Sequence, residues 1–135
     1  MALRVENMLV LDTNILIDIE KNNLAIKDQL KKYILLGAPA ITALTYAEFL
    51  YGYLSKQKDA VEQALKTLDL YRTLHTTKKS CRLIAELQYE LEKKGTPLPL
   101  ADIVTAAIVL ENNATLITRD RDFKRIERLN AVYLE

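Results

Sequence analysis

Residues 8–14 read Met-Leu-Val-Leu-Asp-Thr-Asn, and this stretch decides the fold. Its apolar start has the length of a buried strand, and the strand stops at Asp12, a residue type favoured at helix N-caps. Apolar periodicity resumes at Ile15 and predicts a helix over residues 15–21. The stretch is therefore a strand that leads directly into a capped helix.

The same alternation of strand and helix continues along the chain. Apolar periodicity predicts further helices at residues 24–36, 44–54, 59–71, 78–93 and 99–111, and a short one from residue 123. Extended segments are expected at residues 40–42, 74–76, 115–118 and 131–134. Together these elements predict an α/β fold with a small, mostly parallel central sheet of four to five strands, flanked by helices on both faces. Such sheets carry their sites at the carboxyl ends of the strands.

Composition limits the class of protein. With 135 residues, half of them hydrophobic, the chain predicts a single domain over residues 1–135. The 19 basic and 18 acidic residues give no overall attraction to a polyanion, so any nucleic-acid contact would depend on local charge. Cys81 has no cysteine partner, and neither a signal peptide nor an apolar run of about 20 residues is present. We expect a cytoplasmic protein without membrane contact.

Two acidic residues stand in apolar helical segments. Glu48 is the only charged residue in residues 43–54, so we expect its carboxylate to face the interior and to need a partner. A structural salt bridge is the alternative interpretation. Asp102 is the only charge in residues 95–110, although an acid in the first turn of a helix is also favoured by the helix dipole. Both positions are candidates for a functional site.

Three further acids follow predicted strands. Asp12 ends the first strand, and Asp120 and Asp122 follow the strand at residues 115–118. Each has a purely structural alternative as a helix or turn cap. Carboxylates that converge at one sheet edge repel one another unless a cation neutralises them, and a hard divalent ion with oxygen ligands is the usual solution. The pattern predicts Mg²⁺ or Mn²⁺, because His75 and Cys81 are too few for a zinc or soft-metal site.

Four segments resemble the motifs of PIN-domain nucleases, and among them the VapC toxins of prokaryotic toxin–antitoxin modules. These segments are LVLDTN at 9–14, TYAEFLYG at 45–52, LPLADIVTAA at 98–107 and LITRDRDF at 116–123. The resemblance implies a metal-dependent endoribonuclease that hydrolyses RNA, a VapB-like antitoxin as partner, and a homodimer. By that resemblance the catalytic and metal-binding residues are Asp12, Glu48, Asp102 and Asp120, with Asp122 in the outer shell and Thr13, Asn14 and Thr118 in support.

Two surfaces are candidates for binding. A basic cluster beside Asp120 predicts contacts with RNA phosphates, with an ordinary solvated surface as the alternative; its members are Arg119, Arg121, Lys124 and Arg125. The helix around residues 46–54 is apolar on every side. It is either buried throughout, or it has a second face that binds a partner helix such as an antitoxin.

Three other functions compete with a VapC-type toxin. One is a PIN nuclease that processes RNA without a toxin role, and another is a noncatalytic RNA-binding scaffold of the same fold. The third is a phosphoryl-transfer domain of the receiver or haloacid-dehalogenase type, which also places an Asp after its first strand. The segment Asp12-Thr13-Asn14 lacks the second Asp that such domains use, and this disfavours the third.

Overall fold

The computed structural model of the chain describes residues 8–35 and 39–135. At its centre lies a parallel sheet of five strands in the order β3-β2-β1-β4-β5. The strands are β1 (Leu9–Leu11), β2 (Pro39–Thr42), β3 (Arg72–Leu74), β4 (Thr115–Thr118) and β5 (Ala131–Tyr133). The helices are α1 (Thr13–Glu20), α2 (Leu24–Ile34), α3 (Ala43–Tyr51), α4 (Lys58–Leu68), α5 (Lys78–Lys93) and α6 (Leu100–Glu111), and a 3₁₀ turn spans Arg121–Arg125.

Both faces of the sheet are covered, because side chains alternate along each strand. In β1, Leu9 and Leu11 point into a core formed with helices α1 to α4. Val10 points to the opposite face, into a core formed with α5, α6 and the 3₁₀ turn. The predicted α/β class and the parallel sheet between two helical layers are confirmed. Strand β1 reads as continuously apolar because it is buried on both faces.

The strand order reverses at the centre of the sheet. From β1 the chain adds β2 and then β3 on one side, and it later adds β4 and β5 on the other side. Leu11 pairs with Ile117, and the next backbone N–H, that of Asp12, donates to the Ile117 carbonyl at 3.0 Å. The carboxyl ends of β1 and β4 therefore lie side by side at the switch point, where open α/β sheets form their binding crevice.

Several predicted boundaries are wrong by a few residues. Helix α3 ends at Tyr51 rather than at residue 54, but Tyr53 still packs on Phe49 with ring centroids 5.1 Å apart. The apolar pattern thus continues past the end of the helix. Helix α4 ends at Leu68, and β3 covers Arg72–Leu74 instead of residues 74–76. The predicted break at Gly37 and the amino-terminal residues 1–7 lie outside the described residues.

The connection into α6 depends on a left-handed backbone. Gly95 follows α5 with φ of 74°, a conformation that disfavours a side chain. The chain then reaches Leu98, which is buried against the α5–α6 core, and α6 begins two residues later. Within the described ranges, no helix combines the length and the apolar character that crossing a membrane requires.

Candidate metal centre

Asp12 lies at the rim of the sheet and has two structural roles. It is the N-cap of α1, where one carboxylate oxygen accepts the Thr13 N–H at 2.9 Å. The other oxygen accepts the hydroxyl of Thr118 at 2.7 Å. The capping alternative is thus correct, but it does not account for the second contact. Strands β1 and β4 hold this carboxylate between them, at the switch point.

Thr118 connects Asp12 to the turn that follows β4. Its fully buried hydroxyl also accepts the backbone N–H of Asp120 at 3.0 Å. Asp120 in turn caps the 3₁₀ turn, because its Oδ1 accepts the N–H of Asp122 at 2.9 Å. The side chain of Asp122 is exposed and lies 3.5 Å from Arg125. One buried hydroxyl therefore sets the relative position of Asp12 and Asp120.

Glu48 does not face the protein interior, and that prediction is wrong. Helix α3 buries Thr45 and Phe49, whereas Glu48 lies on its exposed side near Tyr51, which is 78% exposed. The apolar neighbours line an open cleft, so the helix is not buried throughout. Glu48 Oε1 accepts the hydroxyl of Thr13 at 2.8 Å, and this hydroxyl lies 2.9 Å from that of Thr45.

Asp102 brings the second helical layer to the same rim. It lies in the first turn of α6, and burial raises its pKa from 3.8 to about 6, with further increases from the charges of Asp120, Asp12, Glu48 and Asp122. The pKa of Asp12 is also raised, mainly by burial. Hydrogen bonds from Thr118 and Thr13 partly offset that rise, while Asp120 and Glu48 add to it. The carboxylates of four separate segments therefore lie close enough to interact electrostatically. They belong to Asp12, Glu48, Asp102 and Asp120, and we call them the acidic rim.

The donor set fits a hydrated, hard cation. Across residues 8–35 and 39–135, no Lys or Arg nitrogen lies within 4.0 Å of the carboxylates of Asp12, Glu48, Asp102 or Asp120. In the same ranges, no group of three or more His, Cys, Asp or Glu side chains is placed to hold a metal ion directly. Mg²⁺ usually keeps several waters and takes only one or two carboxylates directly, so an open rim of oxygen donors suits it. These acids repel one another, and a bound divalent cation would offset that repulsion.

We expect the metal-free protein to lose stability as the pH rises through about 6. Because the folded-state pKa of Asp102 lies above its ordinary value of 3.8, the folded chain holds a proton that the unfolded chain releases. This stabilisation is present at low pH and disappears above the folded-state pKa. Melting temperatures in chelator, compared with those of Asp102→Asn, should show a variant advantage that grows from about pH 4.5 to 8. A constant difference would contradict this.

The structure also identifies residues that the sequence analysis missed. Thr45 supports Glu48 through the hydroxyl of Thr13. Asp18 is buried in α1 and pairs with Arg119 at 2.9 Å, so Arg119, a predicted RNA contact, is part of an internal ion pair. The only signal for Asp18 was a lone charge within the apolar run of residues 15–19. Another predicted RNA contact, Arg125, donates to the Pro97 carbonyl at 3.0 Å.

A groove runs from the acidic rim between α1 and α3. It encloses about 580 Å³, and most of its surface is apolar; it is lined by Thr13, Asn14, Ile17, Ala47, Glu48 and Tyr51. Asn14 is exposed at its edge. The groove therefore continues the rim along the face that α3 leaves uncovered.

Fold and rim together define the class: an α/β domain with a parallel sheet and clustered carboxylates at its switch point. The chain belongs to the PIN-domain family, whose model matches residues 9–129. Among its relatives is Ribonuclease VapC2 from Rickettsia felis, which is 32% identical over an alignment of 126 positions that covers 89% of this chain and 92% of the relative. The chain is thus a VapC-like member of the family.

Solved structures agree with this placement. A chain of VapBC2 from Rickettsia felis, bound to a DNA fragment from its promoter, superposes with a TM-score of 0.80 at 28% identity, covering 95% of this chain and 99% of that one. A chain of VapBC-1 from nontypeable Haemophilus influenzae gives a TM-score of 0.81 at 25% identity, covering 93% and 97%. The five-stranded parallel sheet with its two helical layers is thus the fold of these complexes' PIN-like chains.

Proposed function

We propose that this chain is a divalent-metal-dependent endoribonuclease of the VapC type, the toxin of a toxin–antitoxin pair. The observation that carries the proposal is the rim of Asp12, Glu48, Asp102 and Asp120, whose charges oppose one another without a basic partner among the described residues. Membership of the PIN family and similarity to a VapC ribonuclease support RNA as the substrate.

The oxygen donors favour Mg²⁺ or Mn²⁺ as the ion, held by Asp12, Asp102 and Asp120 with Glu48 nearby and Asp122 further out. When bound, such an ion stabilises negative charge that develops on a phosphate during hydrolysis. Asp12 and Asp120 are kept in register by the hydroxyl of Thr118. Glu48 Oε1 is fixed by Thr13, which leaves Oε2 free to accept a hydrogen bond from the attacking water and to orient it.

Two of the predicted basic residues, Arg121 and Lys124, are the proposed RNA contacts beside this rim. Arg121 and Lys124 lie over the ring of Tyr133, at 6.0 and 5.1 Å from its centroid. Burial raises the pKa of Tyr133, the charge of Asp120 raises it further, and Arg121 lowers it, so the ring lies near the acids. Cations next to an aromatic ring suit single-stranded RNA, with phosphates on the cations and a base near the ring.

Reversing these two charges should weaken RNA binding. In chelator, the double variant Arg121→Glu/Lys124→Glu should bind a single-stranded RNA about 10-fold or more weaker than the unaltered chain, with a smaller dependence of affinity on salt. Fluorescence anisotropy over a salt series measures both quantities. Lys66→Glu, an exposed charge on α4, is the matched control and should change neither. An unchanged salt slope in the double variant would remove these residues from the RNA site.

The groove between α1 and α3 is the proposed binding site for a VapB-like antitoxin. Its apolar lining and the exposed ring of Tyr51 suit the apolar face of a partner helix. The relatives solved as VapBC complexes support such a partner. A homodimer is the proposed assembly of the toxin itself, and light scattering at high concentration tests it. A monodisperse monomer would contradict the dimer.

The deciding experiment compares structured and unstructured RNAs with Mg²⁺, Mn²⁺ or chelator, beside an Asp12→Asn control. Cleavage that needs both metal and Asp12 supports the nuclease; RNA binding without cleavage under every condition supports a noncatalytic scaffold instead. A toxin role requires in addition that expression arrests growth and that a cognate antitoxin relieves the arrest. Cleavage without growth arrest would favour an RNA-processing nuclease.

A further inference from the structure

Near the acidic rim, Asp18 and Arg119 form an ion pair whose carboxylate is buried. Asp18 lies in the second half of α1 and is only 8% exposed. Arg119 follows β4 directly, and its Nη2 lies 2.9 Å from Oδ2 and 3.2 Å from Oδ1 of Asp18. No other Lys or Arg in the described part of the chain lies within 4.0 Å of this carboxylate. Asp18 therefore depends on Arg119 for its charge balance.

Arg119 lies in the chain directly between two residues that are linked to the acidic rim. Arg119 stands between Thr118, whose hydroxyl contacts Asp12, and Asp120, whose N–H donates to that hydroxyl. Its partner Asp18 lies on the helix that begins at Asp12. The pair thus joins the backbone that carries one rim acid to the helix capped by another. Two connections, the Thr118 hydroxyl and this ion pair, therefore link the segments that carry the two acids.

The two ends of the pair differ in solvent exposure. The side chain of Asp18 is 12% exposed, whereas that of Arg119 is 44% exposed. The carboxylate has given up most of its hydration, and Oδ2 accepts no hydrogen bond from any described residue. Loss of the guanidinium would leave a buried charge without compensation, and the turn would be free to shift. Phosphate binding alone would not explain why Arg119 is paired with the buried carboxylate of Asp18.

We infer that Asp18 and Arg119 form a positioning pair, which sets the spacing between Asp12 and Asp120 and thereby the affinity of the rim for a divalent ion. The inference rests on the proposed function, because it concerns the same metal site. It moves Arg119 from the predicted RNA contacts to the support of the acidic rim, and it leaves Arg121 and Lys124 as the cations that face the substrate.

Direct titration with Mn²⁺, without RNA, tests the pair independently of activity. Asp18→Asn and Arg119→Ala should each weaken Mn²⁺ binding by about 10-fold or more, the range usual for groups that orient metal ligands. Arg119→Lys should recover only part of the affinity, because a lysine ammonium is a compact and more strongly hydrated charge than a guanidinium. Lys31→Ala breaks an exposed pair with Asp28 on α2 and should bind Mn²⁺ as the unaltered chain does.

A second variant covers the case in which the single substitutions impair folding. Asp18→Leu/Arg119→Met replaces the pair with apolar side chains of similar size, a change that buried ion pairs usually tolerate. It should show the circular dichroism of the unaltered chain and still bind Mn²⁺ about 10-fold more weakly. Full Mn²⁺ affinity in this folded variant would overturn the inference.

The remaining outcomes separate this inference from the proposed function. If Asp102→Asn weakens Mn²⁺ binding while the Asp18 and Arg119 variants bind normally, the metal site stands and the positioning role is refuted. If Arg119→Ala lowers RNA affinity in chelator but keeps full Mn²⁺ affinity, Arg119 is a phosphate contact and the inference fails. If the unaltered chain binds no Mn²⁺, the proposed function and this inference fall together.

Discussion

Asp102→Asn should lower the rate of RNA cleavage by more than about 100-fold while the protein remains folded. Asparagine keeps the size and one oxygen of the side chain, but it removes the negative charge that α6 brings to the rim. Outer groups that only orient metal ligands typically contribute about 10- to 100-fold, so a residue that faces the ion directly should contribute more. Gel-based cleavage with saturating Mg²⁺ or Mn²⁺ measures the change.

The fold should tolerate Asp102→Asn, because the raised pKa of about 6 means that the charged form already opposes the folded state. The matched control is Asp28→Asn, which removes an acid whose side chain is 80% exposed on α2 and should leave cleavage unchanged. Full cleavage by Asp102→Asn would refute the acidic metal site.

Thr118→Val should lower cleavage by about 10- to 100-fold, although no acid is removed. Valine matches threonine in shape, but it cannot donate to Asp12 or accept from the N–H of Asp120. Both partners lose a hydrogen bond in a buried position, and we expect the free energy of unfolding to fall by about 1–3 kcal/mol. Cleavage assays and denaturant unfolding measure the two effects.

Thr115→Val is the control that separates activity from stability. Thr115 is equally buried at the other end of β4, where its hydroxyl accepts the side-chain N–H of Asn130 at 2.7 Å. This substitution should also reduce stability, but it should leave cleavage near the unaltered rate. Equal losses of activity in both variants would mean that Thr118 acts through general stability and not through the rim.

The sequence predicts the sheet well, because a sheet of this kind depends on local patterns. The apolar run before Asp12 identifies a buried strand, and parallel strands end at the same edge, so the place of the rim follows from chain order alone. Asp102, three residues after Pro99, likewise indicates the first turn of α6. The fold class, the parallel sheet and the family resemblance therefore follow from the order of the residues alone.

Local patterns do not reveal which apolar face of a helix meets the core. Glu48 has apolar neighbours on every side, but the sheet covers only the face with Thr45 and Phe49. Nor does periodicity reveal contacts between distant segments. Asp18 and Arg119 are 101 residues apart, and nothing in the composition around Arg119 distinguishes it from Arg121. Only the folded chain shows which of these arginines is engaged internally.

The sheet keeps its two cores apart, yet the rim draws on both layers. Asp12 and Glu48 belong to the side of α1 to α4, and Asp102 belongs to the side of α5 and α6. An ion held between these acids would connect the two helical layers at the edge of the sheet. Local opening of either layer would then have to release the ion first, so metal supply would govern how long the chain resists proteases as well as whether it cuts.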